Sequence, residues 1–194
     1  MKRLLNNILL ILGILLLASA IAFAVYSHIS QNNSAIASKQ LVDEIYSIIP
    51  EPYGAFPDDQ ANKAMPTVEI NDMNFAGIIE VPLYESVLPV YSQWDPSKTS
   101  QFPCRYMGSV YDGTLVIGGS DNKEQLDFMK LISIGDSVYI TDMTGARFAY
   151  TVSDIKITKD ASTESLTDTE ADLTFFAPNS TSFDYTVIYC DMIG

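Results

Sequence analysis

Imidazole is almost missing from this chain: a single histidine, His28, stands among 194 residues. Chemistry that needs two or three imidazoles is thereby excluded. Two cysteines, Cys104 and Cys190, are too few for a disulfide-dense scaffold or for a zinc site made of thiolates alone. Positive charge is scarce too. Lys plus Arg number 11 against 24 Asp plus Glu, a net charge of −13, and a surface of that sign does not grip nucleic-acid phosphates. Charged residues make up only 18% and hydrophobic residues 47%, so bulk disorder is excluded as well. The length suits about one domain.

What is present begins with Lys2 and Arg3, followed by an uncharged stretch over 8–26. Nineteen helical residues at about 1.5 Å each span roughly 28 Å, close to the hydrocarbon thickness of a bilayer. The cationic start places residues 1–7 in the cytoplasm, 8–26 in the membrane as a single-pass anchor, and the rest outside. Ala18-Ser-Ala20 offers a signal-cleavage alternative, but the apolar run continues through Val25, which favours a retained anchor. His28 falls just beyond the span and reads as an interfacial polar residue.

Residues 27–66 read as a stalk over 27–40, a short helix, and a linker. Leu41, Val42, Ile45, Ile48 and Ile49 recur at helical spacing, and Pro50 and Pro52 end that helix. Over 67–194 short β-rich runs follow one another at 75–82, 87–94, 114–118, 137–142, 147–157, 173–177 and 184–191. A helix over 123–131 interrupts them, Asp142-Met-Thr-Gly145 spells a hairpin turn, and 162–172 reads as an acidic surface loop. A closed antiparallel barrel is the economical architecture, because closure removes exposed strand edges.

Several of these runs carry family-like motifs. Gly77-Ile-Ile-Glu-Val-Pro82 and Val87-Leu-Pro-Val-Tyr-Ser-Gln-Trp94 look like the first two strands of the sortases, the membrane-anchored cysteine transpeptidases of Gram-positive cell surfaces. Pro103-Cys-Arg-Tyr-Met-Gly-Ser109 is similar to the P-C-R-Y-x-G-S of a class B/D-like branch. Leu115-Val-Ile-Gly-Gly-Ser120 falls where that family carries L-V-I-A-G-H, and Ile134-Gly-Asp-Ser-Val-Tyr-Ile-Thr-Asp142 resembles its I-G-D-x-V-x-x-T-D. The motifs keep their order and near gap-free spacing across 67–194. The resemblance implies a mainly β fold, a closed barrel of about eight strands with short helices.

Sortase chemistry uses a cysteine thiolate as nucleophile, a histidine as acid and an arginine that holds the oxyanion. On the resemblance, Ser120 occupies the histidine position. Two placements exist for the cysteine. Matching Thr186-Val-Ile-Tyr-Cys190 to T-L-x-T-C keeps Cys190 as nucleophile but leaves four residues after it, with no room for the arginine strand. Matching Asp172-Leu-Thr-Phe-Phe-Ala-Pro178 to D-L-T-L-F-T-C continues into a terminal strand ending Tyr189-Cys190-Asp191 and completes the barrel. This favoured placement puts Pro178 at the cysteine position and Tyr185 at the arginine position. A proline offers no nucleophile, and a tyrosine lacks arginine's permanent charge and fork.

The expectation is a membrane-tethered, non-catalytic module whose partners are sorting-signal peptides, an active sortase or pilin subunits. The alternative is an active transpeptidase that uses Cys190 to attach surface proteins to the cell wall. No cofactor and no metal site are implied: Asp168, Glu170 and Asp172 lack the rest of a calcium pattern. Ser120-Asp-Asn-Lys123 matches S-x-x-K by chance at a helix start, with serine or aspartate as its cap. Cys104 and Cys190 stand either as a disulfide or as two independent thiols. Tyr139, Phe148, Tyr150, Phe175, Phe176, Tyr185 and Tyr189 are read as core aromatics.

Overall fold

A computed structural model describes residues 2–55, 64–122, 125–167, 169–179 and 182–193; the side chains of 2–11, 24 and 26–37 lie outside that description. Helix α1 spans Lys2–Ile48. No Gly or Pro occurs between Gly13 and Pro50, so nothing in the sequence breaks the helix where a polar stalk was expected over 27–40. Residues 1–36 form one compact unit, and from Ala37 onward the chain forms a second. Among the described residues no helix is long and apolar enough to cross a membrane. The span expected over 8–26 includes 8–11, 24 and 26, whose side chains lie outside the description.

The second unit holds β1 (Tyr53–Gly54), β2 (Val68–Ile70), β3 (Met73–Val81), β4 (Ser86–Tyr91), β5 (Cys104–Met107), β6 (Leu115–Gly118), β7 (Ser137–Asp142), β8 (Ala146–Thr158), β9 (Leu173–Pro178) and β10 (Tyr185–Met192). Eight of these close a ring in the order β3, β4, β5, β6, β9, β10, β8, β7 and back to β3. β2 extends β3 through a hairpin, and β1 lies parallel along β8. The barrel is mixed rather than antiparallel, because β4 pairs with β5 and β6 pairs with β9 in parallel. Strands joined by tight hairpins must run antiparallel, whereas long excursions between β4 and β5 and between β6 and β9 permit the parallel sense.

Strand periodicity explains the core. In β9, Leu173, Phe175 and Ala177 point inward with Leu115, Ile117, Ile140, Phe148 and Tyr150, while Phe176 points to the outer face. The end of α1 covers a second cluster outside the barrel. Its Leu41, Val42 and Ile45, with Ile49 just past its end, join Phe75, Ile78, Tyr91 and Phe102, and Pro50 stops the helix there. Gly145 sits in the β7–β8 turn at φ +83, and a Cβ there would come 2.8 Å from the Pro50 carbonyl oxygen, so that position demands glycine. Asp142 organises the same turn, accepting from Thr144 N at 2.8 Å and Ala146 N at 3.0 Å and, through its other oxygen, from the Tyr111 hydroxyl.

Two expected elements differ in kind. The helix over 123–131 is a 3-10 turn, Leu126–Lys130, without a side-chain cap; Ser120 contributes its carbonyl oxygen to Leu126 N at 3.2 Å instead. The surface loop over 162–172 contains α2 (Thr163–Thr167), whose Leu166 is buried on the outer face of β6, β9 and β10. That face carries an aromatic trio. Trp94 lies 5.2 Å from Tyr106 and 5.5 Å from Phe176, ring centre to ring centre. Gly118 makes room for it, since a Cβ there would come 2.4 Å from Phe176 and 2.7 Å from Trp94.

Three substitutions test this packing. Ile45→Ala, at a fully buried position, should cost about 2–5 kcal/mol of unfolding free energy in urea denaturation, while Leu131→Ala, at a position 63% exposed, should cost almost nothing. Gly118→Ala forces the two rings apart and should cost about 1–3 kcal/mol, with a red shift in the emission of Trp94, the single tryptophan.

Candidate functional site

Pro178 and Tyr185 are set side by side by strand register, and Ser120 lies just past the end of the neighbouring β6. Gly118 of β6 is opposite Phe176 of β9, and two residues further along the same parallel pair stand Ser120 and Pro178. The hydrogen bond from Gly119 N to Phe176 O, at 3.2 Å, fixes this end of the pair. Pro178 is then directly opposite Tyr185 on β10. Paired strands β9 and β10 thus set Pro178 beside Tyr185, and Ser120, two residues past the end of β6, joins them in a row at one end of the barrel. Asn179 N donates to Asp184 O at 2.7 Å and closes the β9–β10 connection beside the row. Pro178 is exposed, while Ser120 and Tyr185 are half-buried.

Proline's ring suits this last position of β9, past the end of its pairing with β6, where a backbone N–H is not needed. Chemically the row offers one hydroxyl, one phenol and no thiol, imidazole or guanidinium. Ser120 N donates to Gln125 Oε1 at 3.3 Å, and the Gln125 side-chain amide nitrogen is buried without a partner. Beside the row, Lys130 Nζ donates to the Asp121 carbonyl oxygen and, at 3.1 Å, to Asp127 Oδ1. Lys123 of the S-x-x-K match lies outside the described residues.

Cys190 is on β10 but faces the other way. It is fully buried among the core side chains, and burial, reinforced by the nearby Asp191 charge, drives its thiol pKa far above the ordinary range. Cys104 is fully buried in the cluster under α1, where burial raises its thiol to about 11 and Sγ donates to Phe102 O at 3.4 Å. Both cysteines are free thiols, so of the two arrangements the sequence allowed, the independent one is present. His28 is on α1 with its side chain outside the description, and Asp168 lies outside the described residues. Asp172 is committed to the fold: its Oδ2 accepts from Met192 N at 2.7 Å. Among the described residues no group of three His, Cys, Asp or Glu side chains is placed to hold a metal ion.

Among the aromatics expected in the core two need correction and one group is an addition; Tyr185 is half-buried and packs against the outer cluster instead. Tyr139 is not a core residue: it is half-exposed, with the Arg147 guanidinium 4.1 Å from its ring centre, because Arg147 is held there by Glu80 at 2.9 Å. The addition is the outward trio of Trp94, Tyr106 and Phe176 next to the row. Gly118 inside an otherwise apolar strand is the sequence signal that could have disclosed it, since a glycine in a strand marks a close approach.

No protein-family model matches the chain, and no curated protein matches it in sequence. Solved structures do. Sortase C1 of Streptococcus agalactiae superposes at a TM-score of 0.54 with 14% identity, covering 86% of this chain and 91% of that one. Sortase C of Clostridium perfringens, determined with the C-terminal cell wall sorting motif, gives 0.53 with 16% identity over 62% of this chain and 71% of that one. Sortase A of Listeria monocytogenes gives 0.51 with 18% identity over 62% and 88%. At such identities the likeness is one of architecture, and the ring of strands that aligns Ser120, Pro178 and Tyr185 is the sortase fold.

Proposed function

We propose that this chain is a membrane-tethered binding or assembly module of the Gram-positive cell surface, built on the sortase fold and lacking transpeptidase chemistry. The observation that carries the reading is the row itself. Three neighbouring strands meet at one end of the barrel, and the side chains there are a hydroxyl, a pyrrolidine ring and a phenol. Acyl transfer through a thioester needs a thiolate and an acid that titrates near neutrality, and the row contains neither. Cys190 does not replace the nucleophile, because a thiol sealed in an apolar core resists ionisation and has no access to a peptide carbonyl.

A groove can outlast its chemistry. The partner proposed is an extended peptide carrying a sorting signal, laid along the outer ends of β6 and β9 where Trp94 is partly exposed. Tethering rests on the apolar run over 8–26 behind Lys2 and Arg3. Its described side chains are open: Leu15, Leu17 and Phe23 are all more than half exposed, as suits a segment solvated by lipid. On this reading the N-terminus is cytoplasmic and the barrel extracellular.

Two measurements test the proposal on the full chain in detergent micelles. NMR titration with sorting-signal peptides should shift resonances of Ser120, Tyr185 and Trp94 without producing cleaved peptide or a thioester; turnover would overturn the reading. In iodoacetamide labelling at pH 7, Cys190 should react at least about a hundredfold more slowly than in urea-unfolded protein, and rapid labelling of the folded chain would restore the active-enzyme alternative. Cys104 gives the pH sign. Its thiol titrates at about 11 when folded against 9.0 for the free group, so its contribution to stability is full below pH 9 and is lost as pH rises toward 11. Urea midpoints should fall across that window, and Cys104→Ala should flatten the fall.

A further inference from the structure

The most exposed apolar side chains of the barrel unit gather at one end of it. Among the described residues from Ala37 onward, the five most exposed large apolar side chains are Leu83 (67%), Leu131 (63%), Ile134 (65%), Ile157 (68%) and Phe183 (100%). Leu83 is in the β3–β4 connection, Leu131 and Ile134 in the segment that leads to β7, Ile157 near the end of β8, and Phe183 in the β9–β10 connection. Pairing puts these four places at the end of the barrel where the row stands. Glu80 near the end of β3 is opposite Tyr139 near the start of β7, Gly135 N donates to Val152 O at 2.9 Å, and Thr158 at the end of β8 is opposite Tyr185 at the start of β10. Tyr53, the next in exposure at 54%, is bonded through its N–H to Gly145 O at the opposite end.

The connections hold these side chains out rather than folding them in. The Tyr84 hydroxyl lies 2.8 Å from the Leu131 carbonyl oxygen and 2.9 Å from Asp136 Oδ2, which also accepts from Ser133 N at 2.8 Å. Leu83, Leu131 and Ile134 thus project from loops pinned to one another. Phe183 has φ +57, in the left-handed region that favours glycine, and its ring lies wholly in solvent. Side chains that project singly from four connections do not form the packed core of a protein interface, whereas a lipid surface needs no matching shape. Distance also favours lipid. Ten residues, 27–36, separate the apolar run over 8–26 from the barrel unit, so the barrel cannot leave the bilayer by more than roughly 35 Å. Tethering of that kind populates a contact too weak to form between free partners. The net charge of −13 directs the contact to zwitterionic rather than anionic lipid.

We propose that this apolar rim seats on the surface of the bilayer that holds the anchor, with Leu83, Leu131, Ile134, Ile157 and Phe183 entering the boundary between headgroups and acyl chains. The proposal rests on the tether reading of 8–26 and adds a second, reversible membrane contact to it. It does not depend on what the row binds.

The test uses the full chain in phosphatidylcholine vesicles, with an environment-sensitive fluorophore on single introduced cysteines; Cys104 and Cys190 are fully buried and stay unlabelled in the folded protein. A label at Leu15→Cys, inside the apolar run, should be quenched strongly by brominated phosphatidylcholine. Labels at Ile134→Cys and Phe183→Cys should be quenched at least about threefold more than one at Ile193→Cys, which follows the far end of β10. Leu83→Ser combined with Leu131→Ser should lower the quenching at Phe183→Cys to the level of Ile193→Cys. No quenching at Leu15→Cys would overturn the tether, and the rim contact with it. Strong quenching there, with Ile134→Cys and Phe183→Cys no different from Ile193→Cys, would overturn the rim contact alone. So would brightening at Ile134→Cys that brominated lipid leaves untouched, the mark of a protein partner or a second copy of the chain.

Discussion

The parallel pairing of β6 with β9 is the contact on which the architecture rests. It joins residues almost sixty positions apart, Leu115 to Leu173 and Gly118 to Phe176, and without it the sheet would remain open along two edges. Ordering so long an intervening segment costs loop entropy, which burial must offset. The offset is visible in the strands themselves: every residue of Leu115–Gly118 is buried, and so are Leu173 through Ala177. A pair of strands buried on both faces tolerates no slip, because a shift of one residue would exchange inner for outer side chains along its length. Register here is therefore rigid, and the row at its end inherits that rigidity.

The outer face of the same strands is covered in stages. Leu166 of α2 lies over Val116, Val187 and Tyr189, and the aromatic trio lies over Gly118. The coverings come from different parts of the chain, the 92–103 crossover and the β8–β9 connection, so two long excursions that look like insertions act as walls. Asp95 shapes the first by accepting from Ser97 N at 2.8 Å and Ser97 Oγ at 2.7 Å, which holds its carboxyl below the usual range.

Much of this was legible in the sequence, for reasons that differ between elements. β7 was placed to the residue because Ser137–Asp142 is bounded by Gly135 and by an Asp-to-Gly145 turn, both at positive φ where glycine is favoured. β5 was missed as a separate strand: four residues behind Pro103, with a bulge, present no periodicity to read. The helical course of 27–40 is hard to read because its polar residues give no apolar period, although no breaker intervenes. α2 was missed because a single buried leucine in an acidic, Ser/Thr-rich stretch gives no period at all. Strand direction was misjudged for two pairs because proximity in sequence, which favours antiparallel hairpins, says nothing about strands that meet after long excursions. The three row residues were named from the sequence, but their alignment follows from register, and the aromatic trio beside them depends on a crossover whose path no local pattern encodes.

The separation of inward from outward positions lets the side chains of the row vary while the barrel persists. Ser120 and Pro178 stand at strand ends and bury little apolar surface, so exchanging their side chains removes few core contacts, and Tyr185 packs in part against the outer cluster and not the barrel core. Their inward neighbours are different. Phe175 and Ile188 are fully buried and Ala177 has no exposed surface, so each is constrained by volume as well as by hydrophobicity. Cys190 belongs to this second group. A thiol in that position packs as a small apolar side chain, and its burial is what keeps it unreactive. The barrel thus depends on the inner residues, and the surface presented at the row depends on the outer ones. The two are carried by alternate residues of the same strands, so one can change without disturbing the other.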